Sequence, residues 1–159
     1  MLFSTKAEYG IRLMVALGSH DGEQPVPLEV LAEAETLPLS YLEHLAAKLR
    51  AAGLVSSQRG AHGGYRLGRA PETIQMLEVV EVLEGPIAPM ECFQPLEAEG
   101  KAGKVLCAHE ADGDQACATK LLWTRVQGGV SRALAGTTLA ELIAFERGHA
   151  AQRPAPALA

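Results

Sequence analysis

The stretch from Leu39 to Arg69, LSYLEHLAAKLRAAGLVSSQRGAHGGYRLGR, limits the fold of this chain more than any other. Its first half places Leu42, Leu45, Ala46 and Leu49 at i, i+3, i+4 and i+7, the apolar stripe of a helix that Gly53 closes. Ser40, Glu43, His44 and Ala47 fall on the opposite face, with Tyr41 and Lys48 at its edges. The second half is an alternating run, LVSSQR, a glycine-rich turn, GAHGG, and a second run, YRLGR, which together read as a β-hairpin. Upstream, PLEVLAEAE predicts a shorter helix with Pro27 at its first position and Val30, Leu31 and Ala34 facing inward. Two helices joined by the tight turn TLP, then a basic hairpin, follow the order of a winged helix-turn-helix.

The flanking segments extend this plan. STKAEYGIRLMVALGSH predicts a first helix with Ala7, Ile11, Met14 and Val15 at helical spacing, a capping box of Thr5 and Glu8, and Gly18 as its terminator. TIQMLEVVEVLEG predicts another helix after Pro71, ended by Gly85 and Pro86. From about Cys117, CATKLLWTRVQGGVSRALAG predicts a long helix with Leu122, Val126, Val130 and Ala133 on one stripe and Trp123 beside it as packing. The Gly128–Gly129 pair weakens that helix, so tertiary packing must hold it, and a second copy of the chain is the simplest partner. TTLAELIAFERG adds a capping box from Thr138 to Glu141 and a last short helix. The expected fold class is mainly α with a small β-hairpin wing: a winged helix-turn-helix domain plus a long dimerisation helix. The expected divisions are 1–85 for that domain, 86–116 for a cysteine-containing loop, 117–148 for the dimerisation and C-terminal helices, and 149–159 for an Ala/Pro-rich disordered tail.

Charge is distributed unevenly. Residues 1–70 carry seven Lys/Arg and seven Asp/Glu, whereas the remainder carries seven against twelve and holds the whole net charge of −5. A surface for double-stranded DNA therefore fits the first half. Ser40, Tyr41, Glu43, His44 and Lys48 would face an operator, where Glu43 can accept from cytosine and repel phosphate at wrong sequences. Arg59, Arg66 and Arg69, with His62 and Gly63 at the hairpin tip, would face phosphates, and Arg59 would enter the minor groove. Ser4 and Lys6 open the first helix, whose N-terminus attracts anions. The competing reading of the outer face of the third helix is a plain solvated surface. The apolar runs fall short of the ~20 residues of a membrane span, and the start lacks a secretory pattern, so a cytoplasmic protein without membrane contact is expected. No Cys-x2-Cys, nucleophile–base pair or nucleotide-binding glycine loop is present, so neither an enzyme nor a small-molecule substrate is expected.

All three cysteines, Cys92, Cys107 and Cys117, lie between Met90 and Trp123 with Cys-x14-Cys-x9-Cys spacing. An odd number argues against a closed disulfide framework. Thiolates are the soft ligands that iron–sulfur clusters and zinc select, and a glycine-rich loop can fold around either. The bland alternative is three unrelated buried thiols. His109 would complete a tetrahedral Cys₃His zinc site, and thiol oxidation alone is a further option.

Four stretches, STKAEYGIRLMVAL, the Leu39–Arg69 segment, LEVVEVLEGP and CATKLLW…TTLAEL, together resemble the Rrf family of winged-helix transcription regulators, with its IscR-, NsrR- and RsrR-like iron–sulfur members. The resemblance covers nearly all of residues 1–148. It implies a homodimeric regulator, most simply a repressor and redox sensor, that binds a partly palindromic operator. The third helix would lie in the major groove and the hairpin along the minor groove, and dimerisation would use the helix after Cys117. It implies a [2Fe–2S] or [4Fe–4S] cluster on Cys92, Cys107 and Cys117. Where IscR-like members have a ligating His, this chain has Lys120, which cannot ligate. The resemblance leaves Glu8 from the other subunit, Glu35 and His109 as candidates for the fourth ligand.

Overall fold

The structure, a computed structural model, describes residues 3–20, 24–60, 62–90, 93 and 117–150. Its elements are α1 (Thr5–Ser19), α2 (Leu28–Glu35), α3 (Leu39–Ala51), β1 (Val55–Gln58), β2 (Gly64–Leu67), a 3₁₀ turn (Pro71–Thr73), α4 (Met76–Glu84), α5 (Ala118–Ala135) and α6 (Leu139–Ala150). The fold is the expected one, helical with a two-stranded antiparallel hairpin.

The core is built where helical periodicity placed it in α3. Leu42, Leu45, Ala46 and Leu49 are fully buried, and they pack with Leu13, Met14, Leu54, Ile74, Val79 and Leu83. Gly53 adopts φ +73 beyond the helix end, as a C-terminal glycine does, and Leu54 then enters the core. In α1 the buried stripe is Ala7, Gly10, Leu13, Met14 and Leu17, so Ile11 and Val15 sit at its edge. In α2 the buried residues are Leu28, Leu31 and Ala32; Val30 is 53% exposed and Ala34 is exposed too, because the stripe is turned toward α1 and α3.

Gly18 does not terminate α1. The helix continues through Ser19, and a Cβ at Gly18 would lie 2.3 Å from Ile143 Cδ1, so the glycine is there to admit α6. α6 packs on α1, with Leu139 and Ile143 in the main core. It also runs to Ala150, past the expected start of the tail at residue 149. The Thr138–Glu141 capping box is present as expected: Thr138 N–H donates to Glu141 Oε2 at 2.9 Å, and Glu141 N–H to Thr138 Oγ1 at 3.3 Å.

The helix expected from Thr73 starts only at Met76. Ile74 and Gln75 are extended, because Ile74 O accepts from Leu139 N–H and Met76 N–H donates to Thr137 O, a short antiparallel pairing with the chain entering α6. A second unexpected pairing lies at the wing. Val26, ahead of α2, exchanges two 2.8 Å hydrogen bonds with Tyr65, giving the hairpin a one-residue third strand.

Candidate nucleic-acid interface and cysteine site

The outer face of α3 is as the sequence indicated. Ser40, Glu43, His44 and Ala47 are exposed, and Tyr41 and Lys48 are half-buried at the edges. Tyr41 is fixed by an edge-on contact with the Tyr9 ring of α1, with centroids 5.8 Å apart. At the α2–α3 turn, Thr36 adopts φ 54, where Leu37 N–H reaches Ala32 O and Thr36 N–H reaches Glu33 O. That left-handed residue sets the angle between the two helices.

The wing pairs Val55 with Leu67, Ser56 with Arg66, Ser57 with Tyr65 and Gln58 with Gly64. Arg59 and His62 are exposed around the tip. Gly63 is demanded by the turn, since a Cβ there would lie 2.4 Å from Gln58 O. The expected phosphate-facing cations do not share one environment. Arg66 Nε donates to Ser56 Oγ across the hairpin, whereas Arg69 is ion-paired to Glu78 of α4, so much of its charge is already matched.

The start of α1 departs most from expectation. Ser4, not Thr5, is the N-cap, its Oγ accepting from Lys6 N–H at 3.1 Å. The partner carboxylate comes from Glu84, eighty residues away, and not from Glu8. Glu84 Oε1 accepts from Ser4 N–H at 2.9 Å, from the Ser4 hydroxyl and from Ala7 N–H at 3.2 Å. Partial burial pushes the Glu84 carboxyl up, but these bonds and the Lys6 charge outweigh it and hold it below the ordinary 4.5. A phosphate at Ser4 would have to displace this carboxylate, while exposed Lys6 stays accessible. Glu84→Gln is expected to cost about 0.5–1 kcal/mol at neutral pH, the low end for a cap because the site is largely wet. With a folded value below the unfolded one, the contribution is present above pH 4.5 and lost as pH falls through the folded value. Denaturant midpoints of wild type and variant should therefore converge below pH 4.5. A constant gap would remove the Glu84 charge from the account.

Of the candidate ligands, Cys117 is described and Cys92, Cys107 and His109 lie outside the described residues. Cys117 is the N-cap of α5, half-exposed, with Sγ 2.9 Å from Thr119 Oγ1. That hydroxyl, then the Lys120 backbone N–H, favour the thiolate and lower the thiol below its ordinary value. Glu8 is exposed on α1 and forms no side-chain hydrogen bond with a described residue. Glu35 is committed: Arg12 Nε and Nη2 each lie 2.9 Å from its Oε2, and Nη2 also reaches the Glu35 carbonyl, closing the C-terminal end of α2. A metal at Glu35 would have to share the carboxylate with Arg12 or displace it. Among the described residues no three His, Cys, Asp or Glu side chains converge.

Sequence reasoning missed Arg50, which donates from Nη1 to Ser57 Oγ at 3.2 Å and so joins the end of α3 to β1. Its signal was its spacing, seven residues after Glu43 on the same helix face.

The family model Rrf2, described as an iron-dependent transcriptional regulator, matches residues 3–144. The chain belongs to the Rrf2 family. This Rrf2 chain is 37% identical over 148 residues to the HTH-type transcriptional regulator CymR of Bacillus subtilis, covering 93% of this chain and 94% of that protein. It is 36% identical over 143 residues to IscR of Aliivibrio salmonicida, covering 90% and 77%. Among solved structures, CymR, the global cysteine regulator of B. subtilis, superposes with a TM-score of 0.69 over 91% of this chain and 98% of that one. T. potens IscR gives 0.68 over 98% and 93%, at 34% identity. The Rrf2 chain is therefore a winged-helix DNA-binding transcription regulator, not an enzyme. No helix among its described residues is long and apolar enough to cross a membrane.

Proposed function

We propose that this regulator acts as a homodimeric repressor whose operator binding is controlled through Cys92, Cys107 and Cys117, which together hold an iron–sulfur cluster. The observation that carries this reading is a physical route from Cys117 to the reading helix. Cys117 caps α5; Gln127 of α5 donates to the Ile87 carbonyl at 2.6 Å, just beyond α4. Glu84 at the end of α4 caps α1, and Tyr9 of α1 packs on Tyr41 of α3. Such a route carries coupling when one of its members has two arrangements.

The donor set fits. The thiolate-favoured, half-exposed Cys117 suits a soft metal, and Glu8 is available on the surface of α1 as an oxygen ligand from the other subunit. When bound, a cluster would supply a redox-sensitive and labile link among the three thiols. The chain's own part is to convert that link into the spacing of two reading helices, about one DNA turn apart. Dimerisation through α5 is supported by its packing. None of its residues is buried, and Leu121 and Leu122 are 59% and 56% exposed. Of the expected stripe, Leu122 and Ala133 are exposed and Val126 and Val130 are half-buried.

A second reading keeps the DNA binding and replaces the cluster by zinc or by thiol oxidation. The thiolate-prone Cys117 and the likeness to CymR, the global cysteine regulator of B. subtilis, favour it. An anaerobic absorption spectrum with iron and sulfide analysis separates the two. A broad visible band with matched iron and sulfide is expected. A colourless protein that resists reconstitution sends the cysteines to zinc or thiol sensing.

A further inference from the structure

We infer that Arg50 and Ser57 form a phosphate clamp in the angle between α3 and the wing, seated on the DNA strand that separates the two grooves. The inference rests on the reading of α3 and the hairpin as the operator-binding surface.

Arg50 follows Glu43 by two turns, ~10 Å along the same outward helix face. It is exposed, and it forms no ion pair among the described residues, in contrast to Arg69 on Glu78 and Arg12 on Glu35. Its side-chain bond to a described residue, Nη1 to Ser57 Oγ, leaves the other guanidinium N–H groups for a ligand and orients the fork. Strand alternation decides which cations share this angle. Val55, Ser57, Tyr65 and Leu67 lie on one face of the hairpin, where Val55 enters the core shared with α3. Ser56 and Arg66 lie on the other face. Arg50 and Arg66 therefore lie toward opposite faces of the hairpin, and Arg50 meets Ser57 at the junction between helix and wing. A helix in the major groove with a wing in the neighbouring minor groove must straddle one phosphate strand there. Guanidinium and hydroxyl side by side are donors for one phosphate, with the Ser57 hydroxyl free to turn its proton outward.

The test measures operator and random-sequence DNA affinity against salt for wild type, Arg50→Gln, Ser57→Ala and Arg66→Gln, with thermal melts as the folding check. For Arg50→Gln, a loss of about tenfold or more on both DNAs is expected, and the slope of log affinity against log salt should fall by about one per protomer. Ser57→Ala should lose less, and ethylation of the straddled phosphate should weaken wild type but not Arg50→Gln. If folded Arg50→Gln keeps wild-type affinity and slope, or if Arg66→Gln alone lowers the slope, the clamp is wrong while the operator surface stands. If wild type binds neither DNA, the operator surface itself is wrong.

Discussion

Replacing Gly64 by alanine is expected to detach the wing and remove operator binding. A Cβ there would lie 2.4 Å from both the carbon and the oxygen of the Val26 carbonyl, and 2.8 Å from Pro27 N. These are backbone atoms, so no rotamer change relieves the clash. The residue also sits at φ +156, which L side chains avoid. The backbone must separate, and with it go the two 2.8 Å hydrogen bonds between Val26 and Tyr65. A loss of about 2–4 kcal/mol follows from the clash and the broken pairing together. Denaturant unfolding reads the stability, and an operator titration reads the wing. An unchanged midpoint with wild-type affinity would mean that the hairpin is not anchored through Val26.

Cys117→Ala is expected to leave a folded regulator that no longer responds. The side chain is half-exposed and lies outside the core, so α5 should form without it. Operator affinity would be compared between anaerobically prepared protein and the same protein after oxidant or chelator treatment. Wild type should show a treatment-dependent ratio, and for the variant that ratio should fall to about one. A variant that still responds like wild type would remove Cys117 from the sensing site, whichever of cluster, zinc or thiol chemistry operates.

The two predictions differ in how visible their residues were. Cys117 stood out by composition, since residue type alone sets its chemistry. Gly64 looked like one more turn glycine, because the backbone it lies against, at Val26, is thirty-eight residues away and pairs with Tyr65 through backbone atoms that leave no mark on side-chain patterning. The same contrast holds for the helix caps. Thr138 and Glu141 form their box three residues apart, and spacing found them. Thr5 and Glu8 have the same spacing but not the role, because Glu84 from α4 reaches the helix start first. Local rules cannot see a competitor that arrives from another element.

What the sequence by itself determined is what depends on periodicity within one element. This covers the buried stripe of α3, its polar outer face, the closing Gly53 and the hairpin that follows, and with them the winged helix. Only the tertiary structure decided which glycines admit a neighbour, that α6 joins the main core, that Glu35 is held by Arg12 and Arg69 by Glu78, and that Arg50 meets Ser57. The physical reason is range. Burial of a helix face repeats every 3.6 residues and is written along the chain, whereas the partner of a charge or a carbonyl is set by how whole elements dock.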